Sequence, residues 1–333
     1  MSDTKPHKSA GYFISLVAFF LCIAGAYLLL INRQAVLDQL SVWQYQPTSD
    51  IVSFAERSGL NDTGKFYFYA THPSVLEATT FNKECDRKEQ STAILGCYNG
   101  HSIYIYNVPN KDLDGIREVT ATHEMLHAAY DRMDQTEKQK VNSLLEQEYA
   151  KLRDNKDFSE RMAFYARTEP GERDNELHSV IGTEVADISP ELEAHYSKYF
   201  SDRGKVVALH QKYATVFSDL QTRADTLSAQ LTQLGDKIES ESVMYNKSIT
   251  QFNQDVSEFE RRAKSGAFST QAELNKERNA LLGRADQLDI SRQAINDEVS
   301  NYNSIRDELM SISSQSEALN RSIDSSLAPA PSL

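Results

Sequence analysis

The chain has 333 residues, with 48 Asp plus Glu against 35 Lys plus Arg and a formal charge of −13. That length exceeds one ordinary compact domain. The acidic balance argues against a nucleic-acid partner, which would need a basic face to displace counterions.

Residues 11–31, "GYFISLVAFFLCIAGAYLLLI", run for 21 residues without a charge. At about 1.5 Å per residue, a helix of that length spans roughly 30 Å, the thickness of a hydrocarbon core. A signal peptide cleaved at Ala24-Gly25-Ala26 competes with an uncleaved anchor. The apolar run continues through Tyr27-Leu28-Leu29-Leu30-Ile31, where a mature start would turn polar, which favours the anchor. Lys5 and Lys8 precede the span and only Arg33 closely follows it. This bias predicts a cytoplasmic segment 1–10, a transmembrane helix 11–31 and everything later outside the cytoplasm. Cys22 falls in the span, which leaves Cys85 and Cys97 either to pair in an oxidising space or to remain two separate thiols.

Residues 32–59 read as a linker to a domain over 60–204. Three strands open that domain: "KFYFYAT" (65–71), "AILGCY" (93–98) and "HSIYIYNV" (101–108). Asn99-Gly100 between the last two is a hairpin signal, because both turn positions favour positive φ. A helix follows at about 113–133, with Ile116, Val119, His123, Leu126, His127, Tyr130 and Met133 at three-to-four spacing on its inward face. Further helical segments are expected over 136–166 and 172–200, the second interrupted by Ser189-Pro190 as an N-cap with proline at the first helical position. From residue 205 a heptad stripe, Tyr213, Phe217, Leu220, Ala224, Leu227, Leu231, Leu234 and Ile238, slips near Glu241–Tyr245 and resumes with Ile249. "KSGAFST" (264–270) breaks the pattern, and Thr270 with Glu273 reads as a capping box opening a second arm. Residues 205–326 are therefore expected to form an antiparallel coiled-coil hairpin with arms of roughly 55–60 residues. Residues 327–333 are expected to be a disordered tail.

Chemistry concentrates in "TATHEMLHAAYDRM", residues 120–133. Residues four apart lie one above the other on a helix, so His123 and His127 can point both imidazoles at one ion. Glu124 lies about 100° round the helix, poorly placed to ligate but able to reach a water on that ion as a general base. Chance gives this pentad in roughly one or two of every hundred such chains. Its mid-helix position on the buried face, just after a strand pair, makes a metal site the favoured reading over two histidines satisfied within a core.

By these residues the segment resembles the zincins, the HExxH zinc metallopeptidases. The resemblance covers about residues 60–200. It implies an α+β catalytic domain with a small mixed sheet, a Zn2+ cofactor, and an edge strand before the active-site helix that holds an extended peptide, here "HSIYIYNV" (101–108). Metzincins continue as HExxHxxGxxH, but Tyr130 and Met133 occupy the glycine and histidine positions, which excludes that branch. Gluzincins take a glutamate from a later helix. Glu176, preceded by Asn175, resembles their Asn-Glu pair, although the aspartate found four residues on in some members is Val180 here. Glu184, before Val185-Ala186-Asp187, is the alternative, and His178 a third. Candidate oxyanion donors are His178, Tyr165 and Arg167. His195, four after Glu191, reads as part of a solvated pair, and His72, His101 and His210 carry no pattern.

The expectation is a single-pass, membrane-anchored, extracytoplasmic gluzincin-like metallopeptidase. His123, His127 and Glu176 would hold zinc, Glu124 would be catalytic, a polypeptide would be the substrate, and the coiled coil could bind a protein partner. The alternative is an envelope scaffold or adaptor whose metal site is structural or degenerate.

Overall fold

The computed structural model describes residues 8–85, 93–168 and 170–326. It divides into two units, one of residues up to Val216 with Asn320 onward, the other Phe217–Leu319. The tail 327–333 and residues 1–7 of the N-terminal segment lie outside the described residues.

In the first unit, α1 (Lys8–Ile31) carries the apolar stretch Phe13–Ile31, long enough to cross a membrane as an anchor or to act as a signal sequence. The segment read as a linker is instead structured. It forms α2 (Arg33–Gln44) and α3 (Ser49–Arg57), and Ile51 and Phe54 of α3 are core residues. The Thr48 side chain caps α3 by accepting from the Ile51 N–H.

The first expected strand is also corrected. Its aromatic residues belong to α4 (Asp62–Ala70), where the Asn61 side chain accepts from the Gly64 N–H at 3.0 Å. A capped helix that buries Gly64 and Phe68 on one face overrides the β preference of the aromatic residues. Gly64 is needed there, because a Cβ would sit 2.3 Å from the Tyr199 carbonyl oxygen.

The sheet holds β1 (Ser74–Leu76), β2 (Gly96–Tyr98) and β3 (Ile103–Tyr106) in the order β1-β3-β2, with β1 parallel and β2 antiparallel to β3. The hairpin is present, but its turn centres on Gly100-His101. Tyr98 pairs with Ile103, the Asn99 N–H donates to the Ser102 carbonyl, and Gly100 has φ +88°. Glycine at the first central position suits a type II′ turn better than the expected Asn-Gly turn. "HSIYIYNV" is therefore the central strand, and the edges are β1 and β2. Between β1 and β2, α5 (Ala78–Glu84) ends at Cys85, which forms a disulfide with Cys97 of β2 across 12 residues. Closing a loop of that size stabilises by about 3 kcal/mol in the chain-entropy account.

Next come α6 (Ile116–Asp131), α7 (Gln135–Leu152), α8 (Lys156–Thr168), α9 (Arg173–Glu184) and α10 (Pro190–Tyr196). The expected single helix over 136–166 is split, because Asn155 accepts from the Phe158 N–H and starts a new helix. Ser189 caps α10 through the Leu192 N–H, with Pro190 at its first turn. Met125 and Leu126 of α6 and Leu177 and Ile181 of α9 are fully buried, each contributing on the order of 2 kcal/mol.

The second unit is built from most of α11 (Gly204–Lys264) and α12 (Gln271–Ile323). Ion pairs Arg223–Glu308, Lys237–Glu298, Asp255–Arg284 and Arg262–Glu277 rise along one arm as they fall along the other, so the arms run antiparallel within one chain. The Thr270 side chain accepts from the Glu273 N–H as the expected capping box requires, while Glu273 accepts from the Ser269 N–H, one residue before the N-cap. Val243 and Met244, where the heptads slip, are exposed on an unbroken helix. After α12 the chain returns to the first unit's own residues, where Asn82 and Ser325 exchange two hydrogen bonds of 3.0 and 2.6 Å.

Candidate metal centre

Helix α6 is buried almost all round, which explains how its motif comes to lie inside the protein. Gly115, at φ +102°, lets the chain turn into it, and Arg57 pairs with Asp114 and with Glu118 of the first turn. One turn apart, His123 and His127 bring their Nε2 atoms to 3.0 Å.

Helix α9 supplies the third member. Glu176 Oε2 lies 3.6 Å from His123 Nε2, and Oε1 lies 3.6 Å from His127 Nε2. The donor atoms of the three residues fall within 4.8 Å of one another, a cluster that can hold a metal ion. The helices approach closely at Gly182, where a Cβ would be 2.5 Å from Leu126 Cδ1 and 2.8 Å from Tyr196 Cε1.

The protonation states suit ligation. Burial, helped by the charge of Arg161, pulls His123 down to about 3. Burial, with the His123 ring beside it, also lowers His127. Both rings are therefore neutral near pH 7 and keep a lone pair for a cation. His127 Nδ1 lies 2.9 Å from Asn175 Oδ1, and an N–H donated there leaves Nε2 free to face the cluster. Asn175 in turn donates to Glu172 at 3.2 Å. The Asn175-Glu176 pair thus has a physical role, one residue orienting His127 and the next joining the cluster.

Glu124 is buried and faces β2. A Cβ on Gly96 would come within 2.9 Å of Glu124 Oε1, 3.0 Å of its Cγ and 2.6 Å of Thr120 Cγ2. Gly96 therefore lets an edge strand lie directly against the carboxylate.

The remaining candidates separate. Glu184 pairs with Arg161 and lies 3.4 Å from His210 Nε2, away from the three-residue cluster. His178 is turned to His195, with the Nε2 atoms 3.0 Å apart, and packs against Tyr130 and Tyr196. His195 is buried in that pair, so its reading as a solvated neighbour of Glu191 is corrected. The Tyr165 ring stacks on His123, with centroids 6.4 Å apart. Arg167 is exposed and donates to the Ala163 carbonyl.

Asn175 was marked in the sequence only as the neighbour of Glu176, without a role, and Gly96, Gly182 and Arg161 were not marked as site residues at all. Glycine inside a strand or helix signals close backbone approach, so Gly96 and Gly182 carried a readable cue. Arg161 carried none. No family model, curated protein or solved structure matches this chain.

Proposed function

We propose that this chain is a membrane-anchored, gluzincin-like zinc metallopeptidase that hydrolyses peptide bonds on the extracytoplasmic side. The observation that carries the reading is the convergence of Glu176 on His123 and His127, from three helices and 49 positions beyond the second histidine. Ligands held at about 2.0–2.1 Å in a tetrahedron stand roughly 3.3 Å apart. The distances of 3.0, 3.6 and 3.6 Å bracket that spacing. Two neutral imidazoles and one carboxylate form a ligand set of the catalytic zinc type. The Cys85–Cys97 disulfide favours an oxidising compartment, in agreement with the charge bias around α1.

Bound zinc would supply Lewis acidity, polarising a carbonyl and lowering the pKa of water toward neutrality. The protein's own residues do the rest. The Glu124 carboxylate takes a proton from the attacking water and returns it to the leaving amine nitrogen, so that one water and one amide become an acid and an amine. Asn175 holds the His127 ring in its ligating tautomer. Tyr165, against His123, is the group best situated to donate to the developing oxyanion. The strand suited to hold an extended peptide is the edge strand β2, whose Gly96 backbone lies against Glu124, rather than β3.

The test uses the full chain in detergent, purified without chelator. About one zinc per chain is expected, lost in His127→Ala and kept in Glu124→Gln, while Glu124→Gln alone abolishes cleavage of a peptide library. Zinc retained with no cleavage by the parent chain would favour a scaffold with a structural metal. No zinc uptake by either protein would remove the reading altogether.

A further inference from the structure

We infer that α2 lies in the membrane–water interface, with Val36, Leu37, Leu40 and Trp43 among the lipid headgroups and its opposite face fastened to the metal helix α6. The inference rests on reading α1 as membrane-spanning.

Helix α2 is amphipathic in the wrong sense for a water-facing helix. Val36 is 37% exposed, Leu37 44%, Leu40 43% and Trp43 73%. At 100° per residue these four cover an arc of about 120°. Asp38, Ser41 and Val42, all less exposed, centre roughly 150° away round the axis. A surface helix in water turns its apolar stripe inward, whereas α2 turns inward its carboxylate. Asp38 is buried and accepts from Arg132 Nη2 at 2.7 Å and Nε at 2.8 Å, and from Gln34 at 2.9 Å. The Ser41 carbonyl is 2.9 Å from His72 Nε2. Since the polar face is already occupied by the protein, the apolar face is left for another apolar medium.

Continuity identifies that medium. A single residue, Asn32, separates α2 from α1, and its side chain donates to the Leu28 carbonyl at 2.8 Å as the first helix ends. Its backbone, at φ −104° and ψ 19°, departs from α-helical values. Standing upright on α1, α2 would put Trp43 about 18 Å beyond Ile31. The interfacial layer is only about 5–8 Å deep on each side, so an upright helix would leave Leu37, Leu40 and Trp43 in water. Lying flat, it places Trp43 where indole rings concentrate and sets the exposed Arg33 beside the phosphates.

The consequence for the centre follows from Arg132, the C-cap of α6, five residues after His127. Its pairing with Asp38 ties the metal helix to the interfacial one, so the centre is held near the bilayer and favours chains that emerge from or lie along that surface.

Trp43 is the sole tryptophan of the chain, so intrinsic fluorescence reports this position alone. The full chain is reconstituted in phosphatidylcholine vesicles and washed with alkaline carbonate, then compared with vesicles carrying acyl chains brominated near the glycerol. The expected result is a chain that survives the wash, with emission blue-shifted from that of free indole, mostly quenched by the brominated lipid and severalfold less accessible to acrylamide than after denaturation. Leu40→Glu should lessen the bromolipid quenching while the chain stays bound. Survival of the wash with water-like emission and no bromolipid quenching would overturn the inference and leave the anchor standing. Blue-shifted emission insensitive to brominated lipid would also overturn it, since a second copy or another protein would then cover the stripe. Release by carbonate would instead remove the anchor reading.

Discussion

Gly182→Ala asks whether the close approach of α9 to α6 is what brings Glu176 to His123 and His127. The new methyl would lie 2.5 Å from Leu126 Cδ1, 2.8 Å from Tyr196 Cε1 and 3.1 Å from Tyr196 Cζ. Carbon atoms pack at about 3.5–4.0 Å, so roughly 1 Å must open between the helices. Neither neighbour can yield easily. Both are fully buried, and the Tyr196 hydroxyl donates to the His178 carbonyl at 2.7 Å. Overpacking of this kind costs about 1–3 kcal/mol, and alanine in a helix interior returns about 1 kcal/mol. The expected net destabilisation is therefore about 0–2 kcal/mol. Glu176 sits six residues from Gly182 on α9, about 9 Å along the axis, so a helix backing away by 1 Å carries its carboxylate off the histidines. Zinc affinity should fall on the order of 10–100-fold, the scale of losing a ligand-orienting partner. The assay is competition with a chromophoric zinc chelator, paired with thermal unfolding of the full chain in detergent. Adding Leu126→Ala makes room for the methyl, so the two stability losses should combine less than additively. A Gly182→Ala protein that unfolds at a higher temperature and binds zinc as tightly as the parent would refute the reasoning.

Three further outcomes are expected. Gly96→Ala pushes against Glu124 and against Thr120, whose hydroxyl is pinned to the Ile116 carbonyl at 2.8 Å. It should reduce any peptide cleavage about 10–100-fold, the scale of a misplaced catalytic group, while zinc content stays at the parent level. Asp38→Asn leaves the buried Arg132 guanidinium without its counter-charge and should destabilise by about 3 kcal/mol, read as a lowered denaturant midpoint. The His195 ring, held down at about 4 chiefly by burial, binds its proton more readily unfolded, where its pKa is about 6.5. Its contribution is therefore complete above pH 6.5 and is lost as pH falls to 4, about 3 kcal/mol in all. A denaturation series across that range should show the decline, and His195→Asn should lessen its slope while the other buried histidines keep their share.

The features that rest on local pattern could be read from the residues alone. The apolar span, the caps at Ser189 and Thr270, the heptad arms and the one-turn spacing of His123 and His127 all follow from neighbours within a few residues. Glu176 was legible as a candidate but not distinguishable from Glu184, because both lie on one helix and only its packing against α6 decides which carboxylate faces the histidines. Long-range contacts settled the rest. Aromatic residues 66–69 became helical because Asn61 caps their helix and Tyr199 packs against Gly64. The strand nearest the motif in sequence became the centre of the sheet, since β1 pairs on its other side. Residues 32–59, polar enough to read as a link, joined the fold through Asp38, Ile51 and Phe54. A buried carboxylate on a helix with an exposed apolar face cannot be told from its mirror arrangement by periodicity, because the pattern gives two faces and only tertiary contacts say which one turns inward.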